Sequence, residues 1–371
     1  MKKLFILALC LTVQSIVEGR PVMQDGPDAA GPNADIFVSQ QAEHSRVWSK
    51  VVSRTNQVGK VFTTTNQAYI ELATGMSYWN AGQLVDSVES LRIVADGASG
   101  TQTRYTVHFM GNANTAGGAV TVNTADNKTF NSRVYGLSYW DGSTGASVLI
   151  GSLQDSQGQL VGNNQIVYAN AFTGCNASIE YIYRKAGLEQ DIILQSQLPS
   201  PNSLGLNNDS TRLQVLTEFF APPVPQKTTV QRNGVPDDAL LDFGDTKIGI
   251  GQAFVTQGQG QPIPLSQGTV SKHWTQLDNR DFLIEEIPWS VVSNAIQNLP
   301  LHASAAPPAG TAIKNTASLQ PLLPTNVAST IQSGPVQLAL SSPAKHGVVV
   351  LPQLKMDFSA IWVSTNPDRK T

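Results

Sequence analysis

The stretch ASIEYIYRKAGLEQDIIL, Ala177–Leu194, decides the fold. Ala186 and Gly187 read as a two-residue turn between two strands. In that register Lys185 opposes Leu188, Arg184 opposes Glu189, Tyr183 opposes Gln190 and Ile182 opposes Asp191. Side chains alternate across a pleat. Ile179, Tyr181 and Tyr183 therefore join Leu188, Ile192 and Leu194 on one face, which is a core face. Glu180, Ile182, Arg184, Glu189, Asp191 and Ile193 share the other, which is mixed. Pairing Arg184 with Glu189 adds about 0.2–1 kcal/mol. Apolar pattern, turn and charge agree on a hairpin.

The same grammar extends over Ala68 to Phe220, where short alternating runs are separated by clusters of Gly, Asn and Asp. That spacing suits an antiparallel sandwich. One phrase is written twice, as GMSYWNAG from Gly75 and GLSYWDGSTG from Gly136. In AYIELATGMSYW, Ile70, Leu72, Met76 and Tyr78 fall on one face and Trp79 on the other. In RVYGLSYW, Tyr135, Leu137 and Tyr139 oppose Trp140. Each run then meets a turn, Asn80-Ala81-Gly82 or Asp141-Gly142, the second a strong hairpin signal. The repeated words are strand endings.

Lys2 and Lys3 followed by the apolar run Leu4–Val13 have the layout of a secretory signal peptide, with cleavage after Gly19. The run is shorter than the ~18 residues a membrane span needs, and no later stretch is apolar enough to cross. The expected location is secreted or cell-surface. With Cys10 in the signal, only Cys175 remains and no intramolecular disulfide can form. Stability must come from packing, for which a mature chain of roughly 350 residues has ample material. Charged residues make up 14% of the chain, against ~25% in ordinary soluble domains. The net charge is −3 with no basic block, which argues against nucleic-acid binding, since phosphate neutralisation needs clustered Lys and Arg.

The expected organisation is a signal peptide at 1–19, a flexible leader at 20–42, a β-sandwich-like domain at 43–220 and a second, smaller β segment at 226–299. A Pro-rich linker and terminal strand follow at 300–371. HSRVWSKVV, near the start of the first domain, reads equally as a helical turn or a first strand. The break at APPVP, 221–225, follows because proline cannot donate to a ladder. Further strands are expected at Ala239–Phe243, Gln252–Thr256 and Phe282–Ile287. WSVVSNAIQNL is the one short helix, with Trp289, Val292, Ala295, Ile296 and Leu299 at three- and four-residue steps. Eight prolines lie between Pro300 and Pro352, a linker composition. The strand-like GVVVLPQLKMDFSAIWV comes after it.

Chemistry is sparse. Glu189 and Asp191 lie two apart on one strand, roughly 6–7 Å, a spacing glycosidases use but also one that any charged strand face provides. Asp237, Asp238, Asp242 and Asp245 lack the alternating ligands and closing Glu of a calcium loop. The five histidines, His44, His108, His273, His302 and His346, have no metal-ligand spacing. GIGQAF and GQGQP lack the Lys-Ser/Thr of a phosphate loop. Asn127, Asn176 and Asn208 head formal glycosylation acceptors. No catalytic, cofactor-binding or metal-ligating residue is assigned. Trp79 and Trp140, on the polar faces of their strands, are candidate sugar-stacking residues if exposed and core residues if covered.

NNQIVYANAFTGCNASIEYIYRKAGLEQDIIL and STRLQVLTEFF resemble the N-terminal β-rich region of very large secreted bacterial proteins, many of which continue into YD (Rhs-type) or other β repeats. HSRVW, AYIELATGMSYW, VYGLSYWDGSTGASVLIGSLQDS and KHWTQLDNRDFLIEEI are similar to that region as well. The likeness covers about residues 43 to 290 and carries strand patterns, not site residues. It implies a surface or secreted module preceding a repeat architecture, and this chain ends near the point where such proteins continue. The expected function is a non-enzymatic surface, structural or interaction module. Its partner would be a cell-surface polymer or another protein. A carbohydrate-binding module using Trp79 or Trp140 comes second, and a glycan-active hydrolase third.

Overall fold

The computed structural model describes residues 36–232, 235–256, 263–301, 313–314, 339–340 and 353–363. The protein is mainly β, with antiparallel sheets and, among the described residues, one α-helix, Trp289–Gln297. It divides into two compact units, Met1–Asp86 and Ser87–Thr371. The division lies inside the expected 43–220 domain. Residues 226–299 are not a separate segment either: their strands complete the sheets of the second unit.

The second unit has two leaves. The first runs through Arg92–Val94, Gly97–Gly100, Thr106–Met110, Val120–Asn123, Thr129–Asp141, Thr211–Phe220, Arg280–Pro288 and Ile263–Leu277. Thr129–Asp141 is its centre, paired along one edge with Thr211–Phe220. Its other edge pairs first with Val120–Asn123, then with Ala146–Leu153. The second leaf runs through Gly158–Val161, Gln165–Tyr168, Ala177–Tyr183 and Gly187–Leu194. The backbone of Gln353–Val363, within the expected terminal strand, lies alongside Gly187–Leu194 and leads on to Gly251–Thr256. Strand Ile263–Leu277 belongs to both leaves, pairing with Gly251–Thr256 at one end and Arg280–Pro288 at the other. A bridge between Asn112 and Gln157 joins them elsewhere. The result is a closed β system with its core between the leaves.

That core is built from alternate residues. Leu137, Tyr139, Leu213, Val215, Leu283 and Ile287 come from the first leaf, and Ile166, Tyr168, Ile179, Tyr181, Leu188 and Ile192 from the second. Each fully buried aliphatic side chain contributes roughly 1.5–3 kcal/mol. Buried tyrosines need a hydroxyl partner. Tyr183 donates to Thr103 Oγ1 at 2.9 Å, Tyr168 to the Met110 carbonyl at 2.6 Å and Tyr139 to the Pro199 carbonyl at 3.0 Å. The helix places Trp289, Val292 and Ile296 on this core, Trp289 lying edge-on to Tyr139.

The deciding hairpin forms with its faces as expected, but its register differs by two residues. Tyr183 opposes Leu188, Ile182 opposes Glu189 and Glu180 opposes Asp191. The connection is Arg184–Gly187, closed by the Arg184 amide on the Gly187 carbonyl at 3.0 Å. A shift of two keeps every side chain on its face, so the apolar pattern satisfies both registers. Arg184 still reaches Glu189, at 2.7 Å. The mixed face is also more covered than expected, for Ile182 and Asp191 are buried.

Other expectations shift for local reasons. AYIELATGMSYW is two strands, ending at Leu72 and restarting at Ser77, because Gly75 turns the chain at φ 68°. Its Asn80–Gln83 hairpin turns on Ala81 and Gly82, both at positive φ, as a type I′ turn requires. HSRVWSKVV lies on strand Ser45–Thr55, and Ile36–Gln41, expected in the flexible leader, is a strand. The Asp141-Gly142 hairpin forms with a longer loop, and Asp141 is its organiser. The buried Asp141 carboxylate accepts from the Ser143 amide and hydroxyl, Thr144 Oγ1, the Asn207 amide and Ser210 Oγ, at 2.5–3.2 Å.

Burial raises the Asp141 pKa, but these hydrogen bonds outweigh it and hold the carboxyl well below the usual range. A depressed folded pKa gives stability that is present above the unfolded value of ~3.9 and lost as pH falls through the folded one. Asp141→Ala is expected to lower the unfolding free energy by about 2–3 kcal/mol at neutral pH. Urea denaturation should show the difference from wild type narrowing below about pH 4.

Candidate interaction surfaces

The described residues of the first unit form a three-stranded antiparallel sheet, Ile36–Gln41, Ser45–Thr55 and Val61–Leu72, followed by the small hairpin Ser77–Asn80 and Gln83–Asp86. Asn56 shapes the long hairpin, its Oδ1 accepting from the Val58 and Lys60 amides at 3.1 and 2.9 Å. Register places Val38, Trp48, Val52, Phe62 and Tyr69 on one face. Val47, Val51, Val61, Ile70 and Leu72 take the other. Trp48 stacks on Tyr69 with centroids 5.7 Å apart and donates its Nε1 hydrogen to Glu71 at 3.0 Å. Within these three strands only Ser49 and Val52 are buried. Phe62, Tyr69, Ile70 and Leu72 are exposed, Leu72 at 64%. Strand Val61–Leu72 has no Pro or Gly and one charge, Glu71. Among the described residues it pairs along one edge only, leaving a row of backbone groups that is a template for another strand.

The outer face of the first leaf in the second unit carries a different surface. Trp140 lies opposite Arg212 and is half-buried. Beside them a polar row crosses three strands. Ser138 Oγ donates to Gln214 Oε1 at 3.1 Å, and Gln214 Nε2 to Glu286 Oε2 at 2.8 Å. Glu286 Oε1 accepts from His273 Nε2 at 3.1 Å and Arg212 Nη1 at 3.2 Å. Further along, Glu218 sits between Arg133 at 3.1 Å and Arg280 at 2.7 Å. Arg280 lies over Tyr135 and Phe282, and Arg133 over Phe220, at 5.0–5.5 Å. Both carboxylates are buried while Arg212, Arg280 and His273 remain partly exposed. Cations face solvent over sunken acids. Burial raises the Glu286 pKa, but hydrogen bonds from His273 and Gln214 and the Arg212 charge bring it below the ordinary value.

The two candidate sugar-stacking tryptophans belong to different units. Trp79 is 63% exposed near the tip of the small hairpin. Of the expected acid pair, Glu189 is engaged by Arg184 and Asp191 is buried. The acidic run disperses onto separate cations: Asp238 on Lys272, Asp242 on Lys247 and Asp245 on Arg104. The Asp237 side chain, His302, His346 and the GQGQP stretch lie outside the described residues. His44 accepts from the Gly75 amide, and His108 contacts Ser99 and Asp96. Among the described residues no group of three or more His, Cys, Asp or Glu could hold a metal ion. No described helix is long and apolar enough to cross a membrane. Burial pushes the Cys175 thiol up to about 12, the opposite of an activated nucleophile.

Reading the sequence alone missed both surfaces. The cationic face draws Arg133 and Arg212 from strands distant in sequence from the hairpin that carries His273 and Arg280. The exposed sheet had a local signal, the Thr-rich VFTTTNQ, which has too few apolar residues to fill a core. No protein-family model matches this chain, and neither a curated protein nor a solved structure matches it.

The hydrogen bond to Glu286 raises the His273 pKa, against burial and the Arg212 charge. A raised pKa gives stability that is full below the unfolded value of ~6.5 and lost as pH rises through the folded one. An NMR titration should place the His273 midpoint above ~6.5, and Glu286→Gln should bring it down.

Proposed function

We propose that the chain is an exported, non-catalytic interaction module that associates with a second copy of itself through strand Val61–Leu72. The reading is carried by that strand, which is twelve residues long, paired on one edge among the described residues and exposed along nearly its whole length. Its pattern suits a two-fold pairing. Val61 and Phe62 lie at one end, Tyr69, Ile70 and Leu72 at the other, and Thr63–Gln67 are polar. Antiparallel pairing about Asn66 brings each apolar end against the opposite end of the second copy. Glu71 then meets the end bearing Lys60 and Arg54. A sheet that buries two side chains in three strands has little core of its own, and an added strand extends its packing. Lys2, Lys3 and the apolar run that follows support export, as does the resemblance to the leading region of secreted repeat proteins.

Sedimentation of the purified chain should show a dimer at micromolar concentration. Asn66→Lys, which sets two ammonium groups at the two-fold axis, should give a monomer, and mixing it with Asn66→Asp should restore association. A wild type that stays monomeric at about 100 μM, near the weak end of specific association, removes the reading.

The outer face around Trp140 favours a second reading, an acidic polysaccharide bound by Arg212, His273 and the indole ring. The two acids there do not suit hydrolysis. Four residues of strand separate Glu218 from the position opposite Glu286, so they lie roughly 14 Å apart, beyond the ~9.5 Å limit for glycosidase pairs. Uronate-containing glycans should bind in a salt-sensitive manner, and Trp140→Ala or Arg212→Ala should weaken binding about tenfold or more, some 1.4 kcal/mol. Equal binding by both variants eliminates this face.

A further inference from the structure

From the buried trio Lys272, Asp238 and Glu285 we infer that the second unit carries an intramolecular amide cross-link site joining Lys272 Nζ to Asp238 Cγ. Lys272 and the Asp238 side chain are almost completely buried, and Nζ lies 3.1 Å from Oδ1 and 3.0 Å from Oδ2. The ammonium nitrogen is thus in direct contact with the carboxyl group whose carbon it would attack, and burial of both side chains holds the two together.

The two carboxylate oxygens are held differently. Oδ1 accepts from the backbone amides of Ala239 at 2.8 Å and Lys272 at 2.9 Å, as well as from Nζ. These fixed donors are already aimed at the oxygen that gains charge when nitrogen adds to Cγ. Oδ2 has Nζ as its hydrogen-bond partner, and it is the oxygen that leaves. Glu285 faces Lys272 directly across the neighbouring strand and is fully buried, with Cβ atoms ~4.5–5.5 Å apart in such a pair. It lies on the core side of its strand, between Leu283 and Ile287, where the pattern calls for an apolar residue.

The reaction balances without a co-reactant. The ammonium carries three protons. Two pass to Oδ2, one of them carried by Glu285, and one stays on nitrogen. The Nζ–Cγ bond forms, the Cγ–Oδ2 bond breaks, and Oδ2 departs as water. A buried charge pair becomes a neutral amide, which removes the desolvation cost of both ions, and the dry surroundings favour loss of water. The bond ties strand Val235–Asp242 to strand Ile263–Leu277, which the two leaves share. A cross-linked unit suits a module displayed outside the cell, but the inference does not depend on the dimer or on glycan binding.

Intact-mass spectrometry of the purified full chain, with its N-terminus fixed by peptide mapping, tests this directly. The expected mass is about 18 Da below that of the sequence, one water per chain. Trypsin should release a branched peptide joining residues 233–247 to 248–280, uncut at Lys272. Lys272→Arg should have its full mass. Glu285→Gln, checked for native circular dichroism, should keep its full mass with Lys272 and Asp238 intact. A folded wild type at full mass overturns the cross-link. A Glu285→Gln chain that loses water overturns the role given to Glu285.

Discussion

The second unit rests on the packing of hairpin tyrosines against aromatic rings of the opposite leaf. Tyr183 meets Tyr105 at 5.3 Å and Tyr181 meets Phe109 at 5.5 Å. Tyr105 also donates its hydroxyl to the Arg184 carbonyl at 2.8 Å, so the same residue fills the core and holds the hairpin loop. Gln190 Nε2 on the second leaf reaches Thr217 Oγ1 on the first at 3.1 Å, inside the core. These contacts set how the leaves stack. Once the inner faces are filled, the outer face of the first leaf is left to carry its arginines, His273 and Trp140. Strand Ile263–Leu277, shared by both leaves, brings Lys272 into reach of Asp238.

The two units use the same strand chemistry to opposite ends. In the second, alternation directs large apolar residues inward from two leaves, and burial follows. In the first, apolar residues lie on both faces of one sheet, and Thr63, Thr64 and Thr65 interrupt them. Such a sheet has a register but little interior. Several buried charges of the second unit are paired in sunken networks, as with Glu218 between Arg133 and Arg280 and Asp238 on Lys272. Polar groups of the first run through the middle of a strand, as with Thr63–Gln67, and an ion pair joins Arg46 to Asp86.

Much of this was legible from pattern alone. The β class, the hairpin faces, the short helix and the strands near Ala239, Gln252 and Phe282 follow from periodicity and turn residues. Register within the hairpin was not legible, because a two-residue slip leaves every face unchanged. What selects the observed register includes a distant group, Glu89, whose carboxylate accepts from the Lys185 amide at 2.8 Å. The unit boundary at Asp86 was hidden for a similar reason: Gly75 and the Ala81-Gly82 turn look like ordinary hairpin punctuation. Clusters such as Arg133–Glu218–Arg280 and Asp238–Lys272 join residues from separate strands, and no local window contains them. The nearest sequence signal was a charge in a core slot, Lys272 before His273-Trp274 and Glu285 within Leu-Ile-Glu-Glu-Ile.

Amide hydrogen exchange followed by mass spectrometry tests most directly whether the tyrosine-packed leaves form the stable centre of the protein. Amides of Ala177–Leu194 and Thr211–Phe220 should exchange together and only through global unfolding, at the slowest rates in the chain. Rapid exchange across Ala177–Leu194 while other strands stay protected would contradict a core built on that hairpin.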